Sequence, residues 1–310
     1  MSAAGPSRIL IVGLGFLGTA IASAAVCQNL ETRVLAKSGT QPKGPWDLTV
    51  GDAAEAGVVL QASADVDHIV YAAGRSMPAA AEVDPLADLT QSLSPLLKVV
   101  DACGHMGCGL TLLSSGAVYG SANTLPIPED HPTNPINVYG IRSLVAEKYT
   151  LMQADRLGFK ARILRISNAF GVCASPRCSR GVVATLLHKL MHDEPFTVYG
   201  DGLAIRDYIH VADVAAAVLQ LMSVHPETTV LNVGSGTGHS ILDLISMSSA
   251  ITGRKLRIRF ERQRSFEVRR NVLDISLLRQ LIELKPSGLG IALRQTWHQM
   301  TAGSLALPHQ

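Results

Sequence analysis

Two hydroxyl-bearing residues, Ser115 and Tyr139, follow patterns that would place them for proton transfer. Ser115 ends an apolar run, Leu110 to Leu113, that predicts a buried strand, and Tyr139 opens a segment with helical spacing. A tyrosine hydroxyl has an ordinary pKa of about 10, so acid–base work near neutral pH needs a cation that stabilises the phenolate. A lysine one helical turn later would supply that charge, but the residue there is Ser143. We therefore expect an active site with one part missing.

A glycine-rich turn lies near the start of the chain, between an apolar run and an alanine-rich helical segment. The run is Arg8 to Val12, and the turn contains Gly13, Gly15 and Gly18. The first glycine of such a turn permits a tight bend, the second lets backbone N–H groups approach a diphosphate, and the third lets the helix pack on the strand. The N-terminus of the helix then faces the phosphates. This order predicts a dinucleotide-binding site.

The end of the second predicted strand, Arg33 to Ala36, bears on which dinucleotide binds. An acidic residue commonly stands there on the ribose hydroxyls of NAD, whereas this chain continues with Lys37 and Ser38. A cation and a hydroxyl suit the 2′-phosphate of NADP, so the sequence slightly favours NADP over NAD, with a solvated lysine as the alternative. Asp52 either accepts from the adenine amine or lies exposed in a turn. The predicted cofactor-binding residues are Gly13, Gly15, Phe16, Leu17, Gly18, Lys37, Asp52, Ala73 and Tyr139.

The composition predicts an ordinary soluble protein. The chain has 310 residues, of which 47% are hydrophobic, and these suffice for one or two domains with a large core. The net charge is +2 with scattered cations, which argues against a nucleic-acid partner. The locally basic stretch Arg254 to Arg270 is better suited to a small anionic ligand.

Targeting and cysteine patterns point to the cytoplasm. Residues Met1 to Ser7 lack the order of a signal peptide, and no apolar run reaches the roughly 18 residues of a membrane helix. We therefore expect no membrane partner. The five cysteines are odd in number and show no Cys-x-x-Cys spacing, so neither a disulfide framework nor a metal site is predicted.

Strand-like runs alternate with helical segments through the first half of the chain. This order predicts an α/β fold, a doubly wound parallel (Rossmann) sheet with a smaller C-terminal substrate-binding lobe. We expect the NAD(P)-binding domain over residues 1–170, with 204–233 returning to it, and the substrate lobe over 171–310. Residues 122–137 are expected to arch over the cleft, and 173–181 to form a lid. The predicted strands are Arg8 to Val12, Arg33 to Ala36, His68 to Ala72, Leu110 to Leu113 and Ala161 to Ile166.

With these features in order, the chain resembles the extended short-chain dehydrogenase/reductase family, in particular its NAD-dependent sugar epimerase/dehydratase branch. The resemblance runs from Ile9 to about Met300. Its later motifs are the more specific ones. They are Arg165-Ile-Ser-Asn-Ala-Phe-Gly171, Tyr199-Gly-Asp-Gly-Leu-Ala-Ile-Arg-Asp-Tyr-Ile-His-Val-Ala-Asp213 and Leu231-Asn-Val-Gly-Ser-Gly-Thr-Gly-His-Ser240.

The resemblance implies a role for each matching residue. Ser115 would bond the substrate oxygen, and Tyr139 would be the acid/base that moves its proton as hydride passes to or from the nicotinamide. Guanidinium groups would hold a nucleotide diphosphate, because their planar forks bind phosphate oxygens in pairs. An ion pair of Arg206 with Asp207 or Asp213 is the structural alternative, as is a loop-tying role for Asn168. The substrate-binding residues so implied are Asn168, Arg206, Arg264 and Glu267.

Departures from the family pattern concern the turn and the catalytic tyrosine. Val12 stands where the family cradle has a further glycine, and Ser143 replaces the lysine that lowers the tyrosine pKa in the family. Glu147 falls where the family's glutamate follows, so the register is secure. Ser143 can replace a hydrogen bond but not a charge, and we expect a loss of rate. Arg142 is a candidate substitute, although one helical step rotates it about 100° from Ser143. Arg75, which follows the predicted strand and small residues at Tyr71 to Gly74, is an equal alternative.

The function so predicted is that of an NAD(P)-dependent nucleotide-sugar epimerase or reductase with weakened Ser/Tyr chemistry. Dehydration is disfavoured, because Gly116 and Ala117 stand where the dehydratases of the family carry an Asp-Glu pair. The alternatives are a catalytically impaired protein that binds NAD(P) and a sugar nucleotide, and a reductase of a non-nucleotide carbonyl compound. The resemblance also implies a homodimer through two predicted helices, Asp88 to Met106 and Tyr139 to Leu157.

Overall fold

A computed structural model gives the fold of residues 5–37, 44–74, 78–172, 181–224, 229–264 and 267–305. The strands are β1 (Arg8–Val12), β2 (Glu31–Ala36), β3 (Asp47–Val50), β4 (His68–Tyr71), β5 (Gly109–Ser115), β6 (Ala161–Ile166), β7 (Asn168–Phe170), β8 (Phe196–Tyr199), β9 (Ile205–His210), β10 (Thr229–Val233), β11 (Gly238–Ser240), β12 (Ile258–Glu261) and β13 (Arg270–Asn271). The helices are α1 (Phe16–Cys27), α2 (Ala56–Ala62), α3 (Pro78–Val83), α4 (Pro85–Met106), α5 (Val138–Leu157), α6 (Val182–Met191), α7 (Val211–Met222), α8 (Ile241–Thr252), α9 (Ser276–Leu281) and α10 (Leu289–Leu305). A 3₁₀ turn, Gly116–Tyr119, follows β5.

The central sheet has seven strands in the order β10-β6-β5-β4-β1-β2-β3, and every pairing in it is parallel. Its strands are nearly continuous apolar runs because both faces of the sheet are covered by helices. In β1, Ile9 and Ile11 pack toward α1 and α7, whereas Leu10 and Val12 pack toward α2, α4 and α5. The predicted doubly wound parallel sheet is confirmed.

The topology of this sheet creates a crevice. The chain runs outward from β1 to β2 and β3, then returns to the other side of β1 through β4, β5 and β6. At such a switch point the loops after neighbouring strands diverge, which leaves a cleft at the carboxyl ends of the strands. The glycine turn follows β1, and Ser115 ends β5. Both therefore lie at this edge of the sheet.

A smaller sheet carries the later motifs. Strand β9 pairs with β7, β11 and β13, and β8 pairs with β12 nearby. Helices α6, α8 and α10 cover a separate apolar core that includes Phe170, Leu187 and Leu244. Between these elements the chain returns to the first sheet, because α7 packs on α1 and β10 pairs with β6.

Some sequence boundaries differ from the structure. Helix α4 starts at Pro85 rather than at Asp88, because Asp84 caps it by accepting from the N–H of Ala87 at 3.0 Å. Strand β5 runs to Ser115, two residues beyond the apolar run. Most of the predicted lid at 173–181 lies outside the described residues. Among the described helices, none combines the length and the apolarity needed to cross a bilayer.

Candidate active site

The glycine turn has the close contacts that its residue types predict. Gly13 has a φ of 102°, and a Cβ there would lie 2.7 Å from the Cα of Ala73. A Cβ on Gly18 would lie 1.8 Å from the carbonyl oxygen of Gly13. A glycine is therefore required at both positions, the first for its positive φ and its approach to the β4 loop, and the second for the packing of α1 on the turn.

Gly15 differs from these two glycines because the space beside it is open. Apart from Gly15 itself and its two chain neighbours, no described residue has an atom within 4 Å of the position of its Cβ. Gly15 is also the N-cap of α1, without a side-chain hydrogen bond. Backbone N–H groups at this helix N-terminus therefore face a space that a diphosphate could fill. The turn suits the pyrophosphate of a dinucleotide, with Phe16 and Leu17 in the first turn of α1.

Lys37 and Asp52 lie together at the ends of β2 and β3. The Lys37 ammonium pairs with Oδ2 of Asp52, and Oδ1 of Asp52 accepts from the N–H of Ala54 at 3.0 Å. Asp52 is thus paired with a cation instead of lying alone in an exposed turn, and Lys37 is bound to a carboxylate instead of to solvent alone. The carboxylate of Asp52 neutralises the cation that would have favoured the 2′-phosphate of NADP.

The backbones that carry Ser115 and Tyr139 are in contact. Ser115 ends β5, and its Oγ accepts from the N–H of Ala117 at 3.2 Å, so its own proton stays available to donate. Tyr139 lies in the first turn of α5, next to Gly140. A Cβ on Gly140 would lie 2.8 Å from the carbonyl oxygen of Ala117. This glycine lets the first turn of α5 approach the turn that follows Ser115.

Ser143 does not replace the missing charge. Its Oγ donates to the carbonyl oxygen of Tyr139 at 2.8 Å, a bond within the same helix. The neighbouring Arg142 is buried and points to α4, where its Nη1 donates to Oδ1 of Asp88 at 2.9 Å and to Oγ of Ser92 at 3.1 Å. The carbon of its guanidinium lies 4.7 Å from the centre of the Tyr139 ring.

A buried polar network fixes the frame around these residues. Glu147 on α5 accepts from Nη2 of Arg165 on β6 at 2.8 Å, and from Oγ of Ser114. Nη1 of Arg165 donates to the hydroxyl of Tyr119 at 3.0 Å, which donates to Oδ1 of Asn232 at 2.7 Å. Burial raises the pKa of Tyr119, so the hydroxyl stays protonated and donates. The network joins β5, α5, β6 and β10.

Arg206 and Asn168 lie on neighbouring strands of the smaller sheet. Nδ2 of Asn168 donates to the carbonyl oxygen of Asp207 at 3.1 Å, and its side chain is otherwise exposed. Nη1 of Arg206 donates to the carbonyl oxygen of Ile205 at 2.9 Å. Burial lowers the pKa of Arg206, and within the described residues no carboxylate pairs with its guanidinium.

The carboxylates of Asp207 and Asp213 have other partners. Asp207 accepts from the N–H of Ser235 at 2.8 Å and from the N–H of Gly236 at 3.1 Å. Asp213 accepts from the N–H of Ser287 at 2.9 Å. The predicted alternative of an ion pair with either aspartate is not formed, which leaves Arg206 able to bind an anion.

Arg264 and Glu267 pair with each other. Nη1 of Arg264 lies 3.7 Å from Oε1 of Glu267, and the guanidinium stacks 3.5 Å from the centre of the Tyr199 ring. Both charged side chains are about one-third exposed, at 34% and 30%. Sequence reasoning missed Tyr199 as their partner, because a stack across 65 residues leaves no local pattern.

Asn271 links the two sets of predicted residues. Its Nδ2 donates to the carbonyl oxygen of Gly116 at 3.0 Å, in the turn after Ser115, while its backbone is opposite Arg206 in the β13–β9 pairing. Sequence reasoning missed this asparagine too. The structure therefore connects the Ser115 turn to the strand of Arg206, and the described residues contain no cluster of three or more metal-ligating side chains.

Comparisons with known proteins agree with this architecture. Residues 9–234 match the sequence profile of the NAD dependent epimerase/dehydratase family. The UDP-glucose 4-epimerase of Azospirillum brasilense is 29% identical over 286 residues, 85% of this chain and 82% of that protein. A relative from Methanocaldococcus jannaschii is 34% identical over 162 residues, and this match spans about half of each chain, 52%.

A solved structure extends the agreement to three dimensions. The UDP-glucose 4-epimerase of Thermus thermophilus, in complex with NAD, has a TM-score of 0.86 and 25% identity. The alignment covers 95% of this chain and 99% of that one. Since the family profile spans well over half of the sequence, the chain belongs to the NAD dependent epimerase/dehydratase family.

Proposed function

We propose that this enzyme is an NAD-dependent epimerase of nucleoside-diphosphate sugars, with UDP-hexoses as the first substrates to test. The observation that carries the proposal is the bond from Asn271 to the carbonyl of Gly116. This bond holds β13, which pairs with the strand of Arg206, against the turn that follows Ser115. Arg206 is the candidate for anion binding, and Ser115 is the candidate for proton transfer. The glycine turn lies at the same edge of the sheet.

In the proposed reaction the Tyr139 phenolate takes the proton of a sugar hydroxyl and later returns it to the carbonyl oxygen. Ser115 donates a hydrogen bond to that oxygen. Bound NAD would accept a hydride from the sugar carbon and give it back to the opposite face. Epimerisation is proposed over dehydration because Gly116 and Ala117 offer no acid or base next to Ser115.

Arg206 is proposed to bind the diphosphate of the substrate. A half-buried guanidinium without a carboxylate partner among the described residues gains most from an anionic ligand, because burial weakens its hydration. Arg264, stacked on Tyr199, would lie beside it, and Glu267 would accept from ribose hydroxyls. Asn168, the first residue of β7, would bond the nucleotide.

NAD is proposed as the cofactor, held by Gly13, Gly15, Phe16, Leu17 and Gly18. A preference for NADP has no support, because the cation of Lys37 is paired with Asp52 and the Thermus relative was solved with NAD. Ala73, which contacts the turn, and Tyr139 would lie near the nicotinamide ribose. Asp52 remains a prediction for the adenine.

The second candidate function is dinucleotide and sugar-nucleotide binding without turnover. Its support is the hydrogen bond of Ser143 to the Tyr139 carbonyl, since a serine bonded in this way brings no charge to the phenol. Reduction of a non-nucleotide carbonyl compound is the third, and it would leave Arg206 without a role.

Turnover separates the first two functions. The purified protein is incubated with NAD and UDP-glucose, and the formation of UDP-galactose is followed by chromatography, with UDP-N-acetylglucosamine and UDP-glucuronate tested in parallel. Tyr139→Phe should lower kcat by about 10²- to 10⁴-fold with little change in UDP affinity. Binding of NAD and UDP without turnover of any sugar would instead support the second function.

Calorimetry of UDP binding tests the assignment of Arg206. Arg206→Met should weaken UDP by about 10- to 100-fold, the loss expected for a charge-assisted bidentate contact, while NAD affinity stays unchanged. Arg279→Met, on the exposed face of α9, is the matched control and should bind UDP normally. Normal UDP affinity in Arg206→Met would refute the assignment of Arg206, whereas a parent protein that binds no UDP would favour the non-nucleotide reductase.

We further propose that two copies pair through α4 and α5. On α5 the apolar side chains of Ile141, Val145 and Met152 form a stripe, with exposed fractions of 46%, 43% and 47%. Leu86 on α4 is 75% exposed. Exposed apolar side chains along one face of a helix are typical of an interface between subunits. The division into a cofactor domain (residues 1–170 with 204–233) and a substrate lobe remains a prediction. A cytoplasmic location also remains a prediction.

A further inference from the structure

We propose that Asp207 is a positioning residue for substrate binding, because its carboxylate and its backbone fix two side chains that would bind the nucleotide, Arg206 and Asn168. This inference rests on the proposed role of Arg206 in binding the diphosphate. Asp207 is fully buried, and the groups that contact its carboxylate come from three separate segments of the chain. Asp207 therefore acts on the substrate only through its neighbours.

Asp207 lies where β9 exchanges its neighbouring strands. Before this point, residues 205–207 pair with β11, and residues 205 and 206 pair with β13. After it, residues 208–210 pair with β7. Where strands change partners, some backbone N–H groups lose their partner in the ladder, and burying such a group without a hydrogen bond is costly. A carboxylate at the junction supplies the acceptors that the ladder no longer provides.

The carboxylate of Asp207 accepts hydrogen bonds from all three segments around this junction. Its Oδ1 accepts from the N–H of Ser235 at 2.8 Å, from the hydroxyl of Ser235 at 2.6 Å and from the hydroxyl of Ser167 at 3.3 Å. Its Oδ2 accepts from the N–H of Gly236 at 3.1 Å and from the N–H of Leu273 at 3.4 Å. Burial raises the pKa of Asp207, and the three backbone N–H groups oppose that rise. Since each of these contacts is a donor, the ionised carboxylate is the form that fits.

Strand β13 connects this carboxylate to the guanidinium of Arg206. Nη1 of Arg206 donates to the carbonyl oxygen of Ile205 at 2.9 Å and contacts the carbonyl oxygen of Arg269, the residue before β13, at 3.5 Å. Leu273 lies two residues after β13, so its bond to Asp207 holds the other end of the same segment. The two ends of β13 are thereby attached to adjacent residues of β9, and this attachment fixes the orientation of the guanidinium.

Asn168 depends on Asp207 through the backbone. Nδ2 of Asn168 donates to the carbonyl oxygen of Asp207 at 3.1 Å, and the preceding residue, Ser167, donates to the carboxylate. Side chains alternate along a strand, so Arg206 and the carboxylate of Asp207 lie on opposite faces of β9. Arg206 is accordingly partly exposed, whereas Asp207 is not. A displacement of Asp207 would therefore move both candidate substrate residues together.

Calorimetry of UDP binding tests this role. Asp207→Asn keeps the shape of the side chain, but its NH₂ group faces groups that donate, so UDP should bind about 10-fold more weakly while NAD affinity stays within about twofold of the parent. Asp207→Asn should add little to the loss caused by Arg206→Met, because residues that act through one contact are not additive. Asp213→Asn, at a carboxylate that also accepts from a backbone N–H, that of Ser287, is the matched control and should bind UDP normally.

Ser235→Ala is a milder variant, because it removes one donor and keeps the carboxylate. It should weaken UDP binding by about threefold, and it serves as the test if Asp207→Asn does not fold. Unchanged UDP affinity in the folded variant, an equal loss of NAD affinity, or a loss that adds fully to that of Arg206→Met would overturn the inference alone. If the parent binds no UDP, or if Arg206→Met binds it like the parent, the proposed role of Arg206 fails and the inference fails with it.

Discussion

The contacts of the glycine turn predict that three Gly→Ala substitutions will behave in three different ways. In Gly18→Ala the new Cβ would lie 1.8 Å from the Gly13 carbonyl oxygen, whereas real Cβ contacts with such atoms begin near 3.0 Å. The helix must therefore shift by more than 1 Å relative to the turn, which costs about 3 kcal/mol on the scale of overpacked cores. For a chain of this length the loss lowers Tm by roughly 5 °C.

Gly15→Ala should leave folding intact and impair the cofactor. Beyond its chain neighbours, no described residue has an atom within 4 Å of its Cβ position, and its φ of −80° suits alanine, so Tm should stay close to that of the parent. The methyl group would instead occupy the space proposed for the diphosphate, and NAD affinity should fall by about 10- to 100-fold. Gly57→Ala, at an exposed helical position with open space, is the control and should gain about 0.5–1 kcal/mol.

Thermal melts without cofactor and calorimetric NAD titrations on the same preparations separate these effects. The expected pattern is a lower Tm for Gly18→Ala, weaker NAD binding with normal Tm for Gly15→Ala, and a higher Tm with normal binding for Gly57→Ala. A Gly15→Ala variant that binds NAD like the parent would refute the placement of the diphosphate. An unchanged Tm in Gly18→Ala would refute the steric argument.

Two further predictions concern pH and assembly. Burial and the nearby Arg162 lower the pKa of His68 to about 4. The unfolded chain therefore binds this proton at a higher pH than the folded chain, and stability falls as pH drops from about 6.5 toward 4, by at most about 3 kcal/mol. Urea unfolding at pH 7.5 and 5 should show a smaller loss of stability in His68→Gln than in the parent. Val145→Glu, at a side chain that is 43% exposed, should convert the proposed dimer to a monomer in light scattering, whereas Leu60→Glu, on α2 and 40% exposed, should not. If both variants and the parent have the mass of one chain, pairing through α5 is wrong.

The fold could be predicted because its strands carry local signals. The buried parallel strands are short β-branched runs, since both faces are covered, and they alternate with segments of helical spacing. The glycine turn could be predicted as well, because its three glycines lie within six residues and each is needed for the local backbone conformation or packing. Boundaries were less certain, and α4 extends to the Asp84 cap, which hydrophobic spacing does not mark.

The site was only partly predictable, because its partners are distant in sequence. Ser115, Tyr139 and Arg206 stand in recognisable motifs, but the bond from Asn271 to Gly116 spans 155 residues. The pairing of Lys37 with Asp52 likewise depends on β2 lying beside β3, and it removed the basis for NADP. A charge that looks available in a sequence can be neutralised by a neighbour that only the fold supplies.

Helix α5 shows how the two buried ion pairs serve the proposed chemistry. Arg142 joins it to Asp88 on α4, and Glu147, five residues later, joins it to Arg165 on β6. Apolar contacts alone tolerate a helix that slides or rotates, whereas two directional charge pairs on different neighbours define one register. Because Tyr139 lies only one turn before the first pair, its placement beside the Ser115 turn depends on those charges. We therefore expect the loss of either partner of a pair to displace the phenol and also to lower the free energy of unfolding, because it leaves a buried charge without a partner.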